Sequence, residues 1–341
     1  MKTEVIILNY NGVKLMEHYL DSVVKSVENA IDTMVTVADN GSDDGSKEWL
    51  KAHYPTVRLI EFEKNWGFAE GYNKAITQSD AEYVVLLNSD VETPIGWLEP
   101  MVDYMNNHKE CAACQPKVLS DRKRTHFEYA GAAGGFIDRY GYPFCRGRVM
   151  DNVEEDKGQY DNDIEVFWST GACLLIRRDI YIEVGGLDSR FFAHQEEIDL
   201  CWRLKARGWS IKCIGKSTAY HLGGGSLGYE SPRKTYLNFR NNRLLLYKNL
   251  DKKEYRWVAF VRLWLDLVAI LQMSASGKAA NAKATIKALR DFRKIKPEFE
   301  ASRNENIRLR TKKNIEERLN FLLIWQVYIN KKKRYNELVR K

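Results

Sequence analysis

The stretch Tyr83-Val84-Val85-Leu86-Leu87-Asn88-Ser89-Asp90 constrains this chain more than any other. Five apolar or aromatic residues run directly into an amide, a hydroxyl and an acid. An unbroken apolar run suits a strand covered on both faces, the situation in a parallel sheet flanked by helices. The polar triplet then falls at the carboxyl end of that strand, where open α/β sheets hold their ligands. The stretch predicts an α/β protein in which Asp90 faces a metal or phosphate site.

The preceding residues repeat the pattern. Glu4-Val5-Ile6-Ile7-Leu8 leads into the turn-forming cluster Asn9-Tyr10-Asn11-Gly12. Leu15, Tyr19, Leu20, Val23, Val24 and Val27 then recur at helical spacing. Met34-Val35-Thr36-Val37-Ala38 runs into Asp39-Asn40-Gly41-Ser42. A third strand over 57–62 precedes the loop Asn65-Trp66-Gly67, and a helix from about Tyr72 to Thr77 returns the chain to the opening stretch. Strand and helix alternating at this spacing predict right-handed βαβ units and a mainly parallel sheet. One strand-terminal acid is commonly a turn residue or a helix cap. Asn9, Asp39 and Asp90 on the same edge of one sheet instead outline a nucleotide-sized site.

Further along, a helix is expected from Pro94 to about Asn107 and a strand from Ala112 to Leu119. Residues 120–163 are rich in glycine and charge with weak periodicity, which predicts a long, partly mobile insertion over the site. Strand character resumes over 166–172 and 173–177. A helix then opens at Glu196-Glu197-Ile198-Asp199. Acids in a first turn suit the helix dipole. Phe191, Phe192 and Trp202 would half-bury this end, and a buried carboxylate with a raised pKa is a candidate general base. A last strand over 211–219 ends in Tyr220-His221 before a glycine cluster, which predicts an accessible imidazole and a mobile following loop. Imidazole is a fitting ligand for Mn²⁺.

Together these motifs resemble family 2 inverting glycosyltransferases of the GT-A fold, in particular the rhamnosyltransferase-like branch that builds bacterial surface polysaccharides. The resemblance spans about 4–250. It rests on Ile7-Leu8-Asn9-Tyr10-Asn11-Gly12, Val37-Ala38-Asp39-Asn40-Gly41-Ser42, Asn65-Trp66-Gly67-Phe68 continuing to Asn73, Leu87-Asn88-Ser89-Asp90, the block from Glu196 to Leu204, and Tyr220-His221. It implies a Rossmann-like, mainly parallel sheet flanked by helices, with a helical C-terminal extension. The nucleotide-binding half would cover about 1–118, the acceptor-side half about 119–250, and a basic amphipathic helical region 251–341.

The resemblance also implies roles. Asp39 matches the acid that meets the uracil or thymine edge, with Asn9, Tyr10 and Asn11 lining the base pocket. Asn65, Gly67 and Asn73 match the loop beside the ribose and diphosphate. Asn88, Ser89 and Asp90 stand in the D-x-D position, Asp90 holding a divalent cation (Mn²⁺ or Mg²⁺) with His221 as a further ligand. Glu197 occupies the position of the base, with Glu196 and Asp199 as alternatives for that role. Two positions depart from the pattern: Asn88 replaces a carboxylate, weakening the metal site, and Glu197 stands where Asp is commoner. The implied reaction moves a sugar from a UDP- or dTDP-sugar, dTDP-rhamnose among them, to a glycan or lipid-linked acceptor. One base and no covalent nucleophile imply inversion. A sugar-nucleotide-binding protein without turnover is the alternative those departures raise.

Charge separates body from tail. From Ser276 onward there are 19 Lys and Arg against 7 Asp and Glu, whereas the first 275 residues hold 34 against 39. A basic tail points to an anionic surface, and no nucleic-acid recognition motif accompanies it. The apolar run from Tyr255 to Met273, interrupted by Arg262 and Asp266, suits a helix at the interface of an anionic membrane. No secretory h-region opens the chain, and no run of about 18 uninterrupted apolar residues predicts a spanning helix. The six cysteines are too few and scattered for a disulfide framework, and Cys111 and Cys114 read as buried strand thiols. A cytoplasmic protein, peripheral on the inner face of the cell membrane, is the expectation; its oligomeric state is left open.

Overall fold

The computed structural model describes residues 2–28, 30, 32–223 and 231–339. The glycine cluster at Gly224, Gly225 and Ser226, expected to form a mobile loop, lies outside the described residues. Four strands, β1 Thr3–Asn9, β2 Thr33–Asp39, β3 Arg58–Glu61 and β4 Tyr83–Asn88, alternate with α1 Val13–Val27, α2 Ser46–His53 and α3 Gly67–Thr77. Then come β5 Val91–Glu92, α4 Glu99–Asn107 and β6 Cys111–Ser120. Four short strands follow, β7 Gly135–Asp138, β8 Pro143–Cys145, β9 Arg148–Val149 and β10 Asn152–Val153. The body closes with β11 Ile164–Glu165, β12 Cys173–Arg177, α5 Arg178–Glu183, α6 Glu196–Ala206, β13 Ser210–His221 and α7 Pro232–Asn249. The tail holds α8 Lys252–Ala275, α9 Ala279–Ile295, α10 Glu300–Arg308, β14 Arg318–Leu319, α11 Leu323–Tyr328 and α12 Tyr335–Leu338.

The central sheet runs β11-β13-β6-β12-β4-β1-β2-β3, with β5 added on β13. Its strands are apolar on both faces because both faces are covered. Val5 and Ile7 of β1 join Tyr83, Val85 and Leu87 of β4 in a core under α1 and α4. The intervening residues Ile6, Val84 and Leu86 belong to the opposite core, with α3 and α6.

The first four strands are parallel, as the βαβ spacing predicts. The whole sheet is mixed, because β12 lies antiparallel between β4 and β6. Two consequences fix the site. The amino end of β12 meets the carboxyl end of β4, where the Asn88 amide donates to the Ala172 carbonyl at 2.9 Å. And β13, parallel to β6, delivers its own carboxyl end, His221, to the edge that already carries Asn9, Asp39 and Asp90.

Residues 120–163 differ from expectation. They build most of a second sheet, β10-β9-β8-β7-β14, over buried Phe127, Phe136, Phe144 and Val149. Strands of two to four residues are too short for an alternation signal, so the packing escaped the periodicity. The expected strand over 166–172 reduces to β11 at 164–165 and an isolated bridge between Gly135 and Trp168. The tail does not stand apart: β14 pairs in parallel with β7.

The tail is joined to the body by buried charge. Asp266 of α8 accepts from Arg243 of α7 at 2.9 and 2.6 Å and from Arg262 at 3.3 and 3.2 Å. All three side chains are buried. Replacing the shared carboxylate, as in Asp266→Ala, strands two guanidinium groups out of water and should cost about 3–5 kcal/mol. Urea unfolding checks this; a loss under about 1 kcal/mol, the scale of an exposed ion pair, would show the network to be solvated.

Candidate functional site

The ends of β1 and β2 are bound into one unit. Asn9 donates from Nδ2 to Asp39 Oδ2 at 3.0 Å and to Ser42 Oγ at 3.2 Å. Asp39 Oδ1 accepts from the Ser42 amide at 2.9 Å, and Ser42 Oγ accepts from the Asn11 amide at 3.0 Å. Asp39 is buried and shapes this turn, while Asn9 Oδ1 is buried without a protein partner. Asn11 sits at positive φ, and Tyr10 beside it is exposed.

Asn40, which sequence reasoning left out of the site, ties this unit to the next. Its amide donates to Asn65 Oδ1 and the Gly67 carbonyl, each at 3.1 Å, and its Oδ1 accepts from the Trp66 amide at 2.9 Å. The neighbouring Gly41 allows this approach: at φ +76°, a Cβ there would lie 2.6 Å from the Lys64 backbone. Asn73 is placed differently from expectation. It lies inside α3, and its amide donates to the Leu187 carbonyl at 2.8 Å. Its oxygen accepts from Tyr181 at 2.6 Å and from the Leu187 amide at 3.0 Å. Both polar ends are spent on the Gly185-Gly186-Leu187 turn, so Asn73 positions that turn rather than lining the cleft.

At the end of β4, Asn88 and Ser89 are partly exposed and Asp90 is buried. His221 Nε2 lies 3.1 Å from Asp90 Oδ1, and His221 Nδ1 lies 3.6 Å from Glu128 Oε1. Far from being accessible, the imidazole is packed between two acids. Burial alone would lower its pKa; Asp90 and then Glu128 override that and raise it to about 10. Glu128 had no signal in the sequence, because it comes from the weakly periodic insertion.

The donor set fits a divalent cation in part. Carboxylate and imidazole suit Mn²⁺, and about 3 Å is the spacing of neighbouring donors on one ion with bonds of about 2.1 Å. Among the described residues no three His, Cys, Asp or Glu side chains gather as a complete site. Asp90 and His221 would therefore hold a cation whose remaining positions are filled by ligand or water oxygens.

The amino end of α6 packs near the end of β4. Phe192, His194 and Gln195 all have positive φ, at 69°, 69° and 72°, a conformation that costs about 1–3 kcal/mol per residue outside glycine. Asn241 of α7 holds it, its amide reaching the carbonyls of Phe191, Ala193 and His194 at 3.0, 2.7 and 2.7 Å. The strained turn presents Glu196 and Glu197, each with Oε2 buried and unpartnered. Burial raises Glu197 to about 7 against the pull of the backbone amides at the helix start, while burial and the charge of Glu197 push Glu196 well above its ordinary range. Both acids are raised, and their repulsion favours a single charge on the pair. A Cβ on Gly171 would lie 3.7 Å from the Glu197 Cβ and 3.5 Å from the Phe68 ring. This places Glu197 against the residue preceding Ala172, at the end of β4.

Asp199 is not available as a base. It is fully buried, accepting from Arg203 at 2.9 Å, Lys248 at 2.7 Å and Asn249 at 2.9 Å. Burial would raise its pKa, but Lys248 and Arg203 more than compensate and hold it below the usual carboxylate range. Its work is to join α6 to α7.

Known proteins resemble this chain in sequence and in fold. The profile described as Glycosyl transferase family 2 matches residues 4–185. The chain belongs to this family. The glycosyltransferase is 27% identical over 233 residues to N-acetylglucosaminyl-diphospho-decaprenol L-rhamnosyltransferase of Mycobacterium tuberculosis, covering 64% of this chain and 75% of that protein. It is 23% identical over 163 residues to the rhamnosyltransferase WbbL of Escherichia coli K12, covering 46% and 61%. Among solved structures, S. aureus TarS 1-349 in complex with UDP-GlcNAc aligns with a TM-score of 0.57 at 15% identity, over 91% of this chain and 89% of that one. GalNAc-T7 with UDP, GalNAc and Mn²⁺ aligns at 0.57 and 14%, over 75% and 49%. The fold of this glycosyltransferase is GT-A.

Glu128 offers a test of the strand-end cluster. A carboxylate on the far nitrogen of a ligating imidazole orients the ring. Glu128→Gln should weaken Mn²⁺ binding in the presence of UDP about 10–100-fold, read by the free-Mn²⁺ EPR signal. Affinity equal to that of the wild type would remove Glu128 from this role.

Proposed function

We propose that the protein is an inverting glycosyltransferase. It moves a sugar from a UDP- or dTDP-linked donor to a hydroxyl of a glycan or lipid-linked acceptor in cell-surface polysaccharide synthesis. The observation that carries this reading is the Glu197 carboxyl beside Gly171, its Oε2 buried without a protein partner and its pKa raised by that burial to about 7. A group in that state can take a proton at neutral pH. The names of the two rhamnosyltransferases favour rhamnose as the sugar transferred, and that of the mycobacterial relative favours a diphospho-lipid-linked acceptor.

The chemistry follows from the two sides of the cleft. Glu197 accepts the proton of the acceptor hydroxyl, whose oxygen attacks the anomeric carbon from the face opposite the diphosphate. The C1–O bond breaks as the new one forms, inverting that carbon, and the electron pair leaves on the nucleoside diphosphate. A divalent cation, when bound, neutralises charge on that leaving group. Asp90 and His221 would hold it, and Asn9, Asn11 and Asp39, with Asn65 and Gly67, would seat the nucleoside. The exposed Tyr10 stands at the rim of that pocket. The positive end of α6 favours the ionised form of Glu197. Glu196, the more strongly raised acid, stays protonated beside it and spares the site a second charge.

Two measurements test this. Release of nucleoside diphosphate, assayed with a panel of nucleotide sugars and with Mn²⁺ or Mg²⁺, should fall about 10²–10⁴-fold in Glu197→Gln. The same variant should retain the rise in melting temperature that the donor produces. Asp90→Ala should lose both turnover and metal response. Because the base acts deprotonated, kcat/KM should rise with pH up to about 7 and flatten above it. Full turnover in Glu197→Gln would remove Glu197 from the role of base, and donor binding with no release under any condition would leave a sugar-nucleotide-binding protein instead.

A further inference from the structure

We propose that the outward face of α8 is a docking surface for an anionic lipid bilayer, with the helix lying along the interface rather than through it. Trp257, Phe260, Trp264, Val268 and Leu271 recur every three or four residues and are each more than half exposed. That spacing forms one stripe along the helix, and the partly exposed Leu263 and Leu267 widen it. Contiguous apolar surface of this kind marks an interaction site rather than ordinary solvent exposure.

Charge selects the occupant. Between Trp257 and Ala275 the charged residues are Arg262 and Asp266, and both are turned inward and buried. The exposed face is therefore free of charge until its amino end. There Lys252, Lys253 and Arg256, together with Trp257 and Phe260, line an open hollow of about 540 Å³. The nearby acid, Glu254, is engaged by Arg318 at 2.8 Å. Cations beside an apolar, tryptophan-bearing face match phosphate headgroups over acyl chains. A second copy of the chain matches less well: paired antiparallel across α8, it would set these cations against the uncharged Leu271 end, with no acid on the exposed face to meet them.

The inward side of α8 explains why the helix lies flat. By length and composition it is apolar enough to cross a membrane, although Arg262 and Asp266 interrupt its apolar run. But Val258, Arg262 and Asp266 are buried against the body, and Arg262 lies over the Tyr142 ring, 4.2 Å from its centroid. Arg262 also donates to the Tyr140 carbonyl at 2.9 Å and to Asn242 Oδ1. Asn242 in turn donates to Gln195 Oε1 at 3.2 Å, and Gln195 immediately precedes Glu196. A chain of buried hydrogen bonds thus connects the docking face to the helix carrying the proposed base. A docked protein would hold its cleft at a set orientation to the bilayer. The lipid-linked acceptor of the proposed function gives this orientation a purpose, but docking belongs to α8 and is tested without transfer.

The experiment is flotation of the purified full chain with vesicles of phosphatidylcholine, or of phosphatidylcholine and phosphatidylglycerol in equal parts. The wild type should float with the anionic vesicles. Trp264→Glu should reduce that partition at least about tenfold. Neutralising Lys252, Lys253 and Arg256 to Gln should reduce it about fivefold per charge toward the phosphatidylcholine level. These side chains are exposed, so the melting temperature should hold; should Trp264→Glu lower it, Leu271→Gln serves in its place. Three results would overturn the proposal: binding to neither vesicle, unchanged binding in the face variants, or a dimer by light scattering that Trp264→Glu dissociates.

Discussion

Covering both faces of β4 is the constraint on which the rest of this structure depends. With one core under α1 and α4 and another under α3 and α6, no polar side chain can be accommodated along Tyr83–Leu87. On β4 the polar residues are pushed to the strand's end; β1 and β2 bury one hydrogen-bonded pair, Thr36 donating to Glu4, and likewise end in Asn9 and Asp39. The chemistry of the protein collects on one edge because that edge is where the apolar layers stop. The antiparallel insertion of β12 and the parallel return of β13 then bring Gly171 and His221 to it from far along the chain.

Buried charge organises the other half. Asp199, Lys248 and Arg203 join α6 to α7, while Arg243, Asp266 and Arg262 join α7 to α8. Such groups stabilise little net of their desolvation, yet they are costly to separate. Their effect is to fix how the helices meet. Between the two networks, Asn241 and Asn242 hold the strained turn and Gln195 in front of the acid pair. The positions of Glu196 and Glu197 therefore depend on α7 and α8 as much as on α6.

The two acids at the start of α6 show how environment divides roles between like residues. Glu196 is buried, Glu197 beside it is partly buried with Oε2 out of water, and the two acids repel, so a single charge is the favoured state of the pair. Asp199, two residues on, is fully buried but meets two cations and an amide, and it remains an anion committed to structure. Across the cleft, His221 is held between Asp90 and Glu128.

The sequence by itself determined the α/β class, the strand-end residues Asn9, Asp39 and Asp90, the acid block at 196–199 and the amphipathic tail. Each is written in local periodicity or in a motif whose residues are neighbours in the chain. Tertiary structure decided what depends on contacts between distant residues. It placed Glu128 on His221, bound Asn73 to the Leu187 turn, and tied Asp199 to Arg203, Lys248 and Asn249. It folded 120–163 into a second sheet whose strands are too short to show alternation. It also turned Arg262 and Asp266 inward, so that the stretch of α8 from Trp257 to Ala275, with two charges in its sequence, presents neither on its outer face. No window of sequence carries that information, because a side chain's partner is set by packing between elements and not by its neighbours along the chain.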